Sequence, residues 1–199
     1  MFNNETYKTE IAQGNQKFFR KMMDITADEL LHFAMGFLRN KEIAEEIVSD
    51  VFVKIWSNRS DIESILNLKS YLFICVKNGC LSHLRKAKND KLVLLGEYKD
   101  FQFLPVESPE DDLLEEDAIK RIHEAIQELP PKCREAFSLA KISGFKHREI
   151  AEIMNISEKT VNNHLVTAVK KISDILGIDK KSGKSYSPLK QASLFSFLW

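Results

Sequence analysis

Six side chains near the C-terminus have the chemistry to hold nucleic acid: Lys159, Thr160, Asn162, Asn163, Thr167 and Lys170. An amide can pair with a base edge through two hydrogen bonds, and an ammonium can hold a phosphate. Their spacing puts them on one face of a helix, opposite an apolar stripe of Val161, Leu165, Ala168, Ile172 and Leu176. Ordinary solvated helix faces have a similar composition, so the residues just before them decide the reading. Ala151 is small where two helices must cross closely. Asn155 sits where the chain needs a left-handed residue, a conformation that Gly and then Asn tolerate best. Ile156 plugs the turn and Ser157 is a strong N-cap. These features, in register over His147 to Val161, predict a helix-turn-helix whose second helix reads DNA. Lys146 stands where Ser or Thr would cap the first of its helices.

A second set lies in the first half. Tyr71, Asn78, Ser82 and Arg85, spaced by seven, four and three, share one face of a helix over 68–86, and Lys86 and Lys88 extend its basic end. Leu72, Val76, Cys80 and Leu84 form the apolar face of that helix. An aromatic ring beside amides and cations suits unpaired bases and backbone phosphates. The preceding helix, 41–56, carries a wide apolar arc of Ile43, Ala44, Ile47, Val48, Val51, Phe52, Ile55 and Trp56. Its remaining face is a polar strip of Glu46, Ser49, Asp50 and Lys54.

Catalytic chemistry finds no support. The five histidines (32, 83, 123, 147 and 164) are scattered, and there is no HExxH pair, Gly-rich phosphate loop or Gly-x-Ser-x-Gly elbow. The chain is expected to be no enzyme and to need no metal or cofactor. Cys75, Cys80 and Cys133 are too few for a disulfide framework, and the first two are five apart, which is neither a zinc nor a redox spacing. All three are expected to be core thiols. The N-terminus lacks a basic-then-apolar signal, and no run approaches the ~18 apolar residues of a membrane span. A cytoplasmic protein without membrane insertion is expected.

The elements that position these residues read as helices throughout. Helical patterns cover about 15–23, then Ala27 to Arg39 with Thr26 as N-cap and Glu29 completing a capping box, then 41–56 and 68–86. A polar loop spans Asn58 to Asn67. Residues 89–118 hold a crowd of carboxylates with Pro105 and Pro109, which reads as a solvated, flexible acidic linker. A further helix carries Ile119, Ile122, Ile126 and Leu129 on one face, Pro130-Pro131 starts another that runs to about Ile142, and the two helices of the helix-turn-helix follow. The fold class is therefore all-α, with small helical domains at 1–88 and 119–176 joined by the linker 89–118. A tail at 177–199 ends in the apolar Leu194 to Trp199. The formal net charge of zero hides an asymmetry: 1–88 carries +2, 89–118 carries −8 and 119–199 carries +6. A basic C-terminal block behind an acidic middle fits a nucleic-acid partner better than the sum does.

Three stretches now resemble one known family. Ile43 to Trp56 is similar to the polymerase-binding helix of extracytoplasmic-function sigma factors. Tyr71 to Asn78, followed by Leu84-Arg85-Lys86, resembles the promoter-melting helix that comes next in that group. Leu129-Pro130, Gly144, Glu149-Ile150-Ala151 and Thr160-Val161 resemble the group's second domain. Ser49-Asp50 replaces the more usual Gln-Glu, and Tyr71 replaces a frequent Trp. The resemblance implies that Glu46, Ser49, Asp50 and Lys54 dock on the clamp helices of the largest subunit of RNA polymerase core. It implies that Tyr71, Asn78, Ser82, His83, Arg85 and Lys86 bind and open the −10 element, and that the 58–67 loop holds a flipped base. The C-terminal helix would read the −35 element beside the polymerase flap, the linker would thread toward the active-site channel, and an anti-sigma factor would sequester both domains. The alternative is a two-domain helix-turn-helix regulator that is no sigma subunit.

Overall fold

The computed structural model describes residues 4–88, Phe101 and 113–177; for Lys88 and 113–119 it describes the backbone alone. The acidic stretch apart from Phe101 and the start of a helix, and the tail beyond Gly177 with its apolar end, lie outside the described residues, as does the threading expected of the linker. The chain forms two compact units that divide at Phe101. Among the described residues every regular element is a helix.

The first unit holds α1 (Asn4–Ala12), α2 (Gln16–Phe37), α3 (Lys41–Ser57), a 3-10 helix (Arg59–Ser64) and α4 (Leu68–Lys88). Asn15 caps α2 by accepting from the Lys17 N–H, and Asn40 caps α3 by accepting from the Ile43 N–H. The structure corrects the reading of Thr26 as an N-cap. Residues 16–37 form one uninterrupted helix, and Thr26, fully buried, donates its hydroxyl to the Met22 carbonyl at 2.8 Å. A threonine can satisfy its hydroxyl this way inside a helix, so Thr-x-x-Glu imitates a capping box without being one. Glu29 instead pairs with Lys69 at 2.7 Å. The stripe Met22, Thr26, Leu30, Phe33, Ala34 and Phe37 runs straight through the expected break. It meets Leu68, Leu72, Phe73, Val76 and Cys80, which are fully buried on α4. Leu84 is only half-buried.

The periodicity did not predict α1. Its Tyr7 and Ile11 are buried, but these two with Ala12 are the only apolar residues in nine and give no pattern. What α1 does is hold the 58–67 loop. The Asn4 side chain accepts from the Leu68 N–H at 2.7 Å and donates to the Leu66 carbonyl at 2.8 Å. Buried Lys8 donates to the Ile65 carbonyl at 2.9 Å. Three strong hydrogen bonds therefore satisfy backbone groups that the loop cannot pair by itself. The loop is not irregular throughout, since Arg59–Ser64 form a 3-10 turn anchored by buried Ile62.

The second unit holds α5 (Leu113–Gln127), α6 (Pro131–Lys141), α7 (His147–Met154) and α8 (Glu158–Leu176). Its core joins Ala125, Ile126 and Leu129 to Cys133 and Phe137 of α6 and to Ala168, Ile172 and Leu176 of α8. Helix α5 starts inside the stretch read as linker, and Phe101 of the same stretch is buried in this unit. The Phe101 carbonyl accepts from Arg134 at 2.6 Å. Arg134 also donates to the carbonyls of Gln127 and Leu129 at the end of α5. One guanidinium thus caps the orphan carbonyls of a helix that Pro130 prevents from ending on a left-handed residue.

Candidate nucleic-acid interface

The helix-turn-helix forms as its residues dictate. Asn155 adopts the left-handed conformation, with φ 55° and ψ 51°. Ser157 accepts from the Thr160 N–H at 3.1 Å and starts α8. Lys146 gives the first helix no side-chain cap, and only the return half of a capping box forms, in which the Glu149 carboxylate accepts from the Lys146 N–H at 2.7 Å. Ala151, Ile150 and Ile153 are buried at the crossing, and Ile156 is half-buried in the turn.

Helix α8 buries Val161, Ala168, Ile172 and Leu176, with Leu165 packed at the edge of the same core. Lys159, Asn162, Asn163, Thr167 and Lys170 are exposed on the other side. Thr160 stands apart from them. It is half-buried, and its hydroxyl lies 2.8 Å from that of Ser157, so it belongs to the cap. Two features of this unit escaped the sequence reading. Lys146, His147 and Arg148 form an exposed basic edge at the start of α7, and three consecutive cations or near-cations just before an apolar pattern were the available signal. Val166, 59% exposed, projects among the polar residues of α8.

In the first unit Glu46, Ser49, Asp50 and Lys54 are all exposed on α3. Three of them, Glu46, Asp50 and Lys54, share one groove of about 420 Å³ with Asn78, Ser82, His83 and Lys86 of α4. Sequence periodicity puts Glu46, Asp50 and Lys54 on one strip and Asn78 and Ser82 on another, with Lys86 at its basic end, the family resemblance adds His83, and only the packing of α3 on α4 brings them face to face. Tyr71 and Arg85 are half-buried and do not line the groove. The Tyr71 hydroxyl interacts with Cys75, and the facing Cys75 and Asp61 raise its pKa together with burial, so the phenol stays protonated.

The groove exists because Gly79 lets the helices meet. A Cβ at Gly79 would lie 2.7 Å from Cγ2 of Ile47, a branched methyl with no freedom to swing aside. Gly79→Ala is therefore expected to cost about 1–3 kcal/mol of stability, the usual penalty of overpacking. Urea unfolding that shows no loss would mean that α3 moves aside freely.

Two of the three thiols are core groups, and Cys75, expected to be a third, lines the α3–α4 groove. Cys80 and Cys133 are buried and Cys75 is half-buried, and none forms a disulfide. Burial raises all three pKa values, that of Cys80 to about 12. Cys133 Sγ lies 3.6 Å from His164 Nδ1, and burial followed by nearby Lys132 lowers the imidazole pKa, which leaves both groups neutral. Among the described residues no group of His, Cys, Asp and Glu is placed to hold a metal. No helix among them is long and apolar enough to cross a membrane.

Comparison with known proteins agrees with this geometry. The sigma-70 region 2 model matches residues 23–89, and the sigma-70 region 4 model matches 119–172, together more than half of the chain. The extracytoplasmic-function sigma factor SigW of Bacillus subtilis is 27% identical over 164 residues, 78% of this chain and 87% of that protein. The sigma-H factor of Pseudomonas aeruginosa is 21% identical over 173 residues, 83% of this chain and 90% of that one. The fold resembles CnrH, solved in complex with the cytosolic domain of CnrY, with a TM-score of 0.60, 20% identity and coverage of 89% of this chain and all of that one. It also resembles RpoE of Bartonella quintana, solved with the anti-sigma factor NepR, with a TM-score of 0.60, 23% identity and coverage of 82% and 99%. With a region 2 unit carrying the α3–α4 groove and a region 4 unit carrying the helix-turn-helix, the chain belongs to the extracytoplasmic-function group of sigma factors, which direct RNA polymerase to promoters and initiate transcription.

Proposed function

We propose that the two units contact the promoter at different elements. Helix α8 lies in the major groove at the −35 element, with Asn162 and Asn163 at base edges, Thr167 beside them, and Lys159 and Lys170 at phosphates. The observation that carries this reading is the left-handed turn at Asn155 and the Ser157 cap, after which α8 presents those side chains opposite its buried stripe. Lys146 and Arg148 of α7 add phosphate contacts, and Thr160 fixes the helix start rather than a base. The same unit sits beside the polymerase flap.

In the first unit Glu46, Ser49, Asp50 and Lys54 dock on the clamp helices of the largest polymerase subunit. Asn78, Ser82, His83 and Lys86, with Tyr71 and Arg85 on the flank, bind and open the −10 element, and the braced 58–67 loop holds a flipped base. The shared groove supports this reading, because polymerase and an unpaired strand then meet along one line. The chain itself catalyses nothing, uses no cofactor and acts in the cytoplasm. An anti-sigma protein holds it inactive, a reading supported by the likeness to a sigma factor solved with its anti-sigma factor. Run-off transcription on a genomic promoter pool, with core polymerase and with or without this chain, tests the reading. New transcripts are expected only with the chain, and their absence overturns it.

The face of α8 makes a finer expectation. Asn163→Ala should lose about 1–3 kcal/mol at one base position and relax preference there. Lys159→Ala should weaken binding to all promoters alike and reduce the salt slope by about one. Binding isotherms across salt and across single-base variants separate the two; identical effects would remove this assignment of the face.

A further inference from the structure

Val166 is out of character with its surroundings. It is 59% exposed on a helix where Val161, Ala168 and Ile172 are fully buried, Leu165 and Val169 pack at the edge of the core, and Ile175 is the other exposed aliphatic residue. At 100° per residue it falls between Asn162 and Lys159, next to Lys170 and Asn163 and turned away from the core. Single exposed aliphatic residues are common. This one stands among side chains that otherwise hydrogen-bond or carry charge. In the major groove the apolar feature of a base edge is the 5-methyl group of thymine.

We infer that Val166 is a specificity-determining residue whose methyl groups pack on the 5-methyl of a thymine in the −35 element, next to the position read by Asn162 and Asn163. Val166 lies four and three residues beyond those amides, which is about 4.5–6 Å along the helix axis. A base-pair step is about 3.4 Å. The contacted thymine is therefore one or two steps from the base pair that the amides read. Valine's branched side chain is short and stiff, so the contact orders almost nothing when it forms. The inference rests on α8 being the base-reading helix.

The test uses the full chain with core polymerase and promoter duplexes selected in the run-off experiment. Each thymine of the −35 element is replaced singly by deoxyuridine, which removes the methyl and leaves every hydrogen-bonding group in place. One replacement is expected to weaken wild-type binding about fourfold, the effect of uncovering one methyl-sized group. Val166→Ala should weaken binding to the thymine duplex about as much and should be insensitive to that replacement. The side chain is exposed, so the variant keeps its fold, and circular dichroism checks this. Unchanged wild-type affinity for every deoxyuridine duplex overturns the inference, as does an equal loss in wild type and variant. Asn163→Ala, measured in parallel, keeps the two levels apart. If it relaxes one base position while the methyl has no effect, α8 still reads DNA and Val166 does not. If neither changes anything, the assignment of α8 fails with it.

Discussion

Asp50→Arg is expected to abolish binding to core polymerase while leaving the chain folded. Asp50 is exposed on α3, opposite the buried Ala44, Val48 and Ile55. Reversing its charge removes no core contact. Within the helix it places Arg beside Lys54 one turn on, a repulsion of a few tenths of a kcal/mol. At a docked interface the effect is far larger, because a charge pair in close contact across an interface couples by about 1.5–7 kcal/mol. A loss of at least about 3 kcal/mol, more than a hundredfold in Kd, is expected. Fluorescence anisotropy with labelled chain and core polymerase measures it, alongside circular dichroism. An intact spectrum with unchanged affinity would place the docking surface elsewhere. Asp50 also lines the groove that holds Asn78 and Lys86, so a −10 fragment should bind the variant's first unit at least as well as wild type. Polymerase affinity and single-strand affinity would then move in opposite directions.

The largest expected loss of stability is in the second unit. Arg134→Ala removes hydrogen bonds to the carbonyls of Phe101, Gln127 and Leu129. Hydrogen bonds to a charged donor are worth about 1.5–3 kcal/mol each, and their loss leaves the end of α5 without a cap. These contributions share one side chain and do not add fully, so about 3 kcal/mol in all is expected. For a unit of this size each kcal/mol lowers Tm by about 4–8 °C, so the transition of this unit should fall by about 12–24 °C. Differential scanning calorimetry of the full chain should show the shift. Arg134→Lys should recover only part of it, because one ammonium cannot fork to three carbonyls. A variant that melts like wild type would show that solvent satisfies these carbonyls equally well.

These cases show where sequence patterns are informative and where they stop. The helix-turn-helix was legible because its signals are local: a left-handed Asn, a Ser cap and an apolar stripe fall between Asn155 and Leu176, and each acts on its own backbone. Thr26 misled for the same reason, since a hydroxyl three residues before a carboxylate looks alike whether it bonds forward as a cap or back to Met22. Arg134 was illegible as a cap because it reaches back from the next helix. The groove was illegible as well, since it depends on Gly79 facing Ile47 across a gap of thirty-two positions. Periodicity gives a helix its face and says nothing of which neighbour that face meets. The polar residues of α3 and most of those of α8 lie on the surface as read, whereas Tyr71, Arg85 and Thr160 are half-buried, and the meeting of two sets in one cleft is tertiary information.

The hold that α1 exerts on the 58–67 loop has a consequence for folding and for local opening. Its three hydrogen bonds join positions 62, 64 and 57 residues apart in the chain. Contacts of such high sequence separation carry a large loop-closure cost and form late, after the local helices. The loop is therefore expected to acquire its shape as one of the last events in the folding of the first unit. Helix α1 is also the shortest α-helix of that unit, at nine residues, and so short a helix opens at low free-energy cost. Each fraying event releases Asn4 and exposes the Leu68 amide to solvent. The Leu68 N–H, although it starts a helix in the core, should thus exchange with deuterium at the rate of α1 opening rather than that of global unfolding.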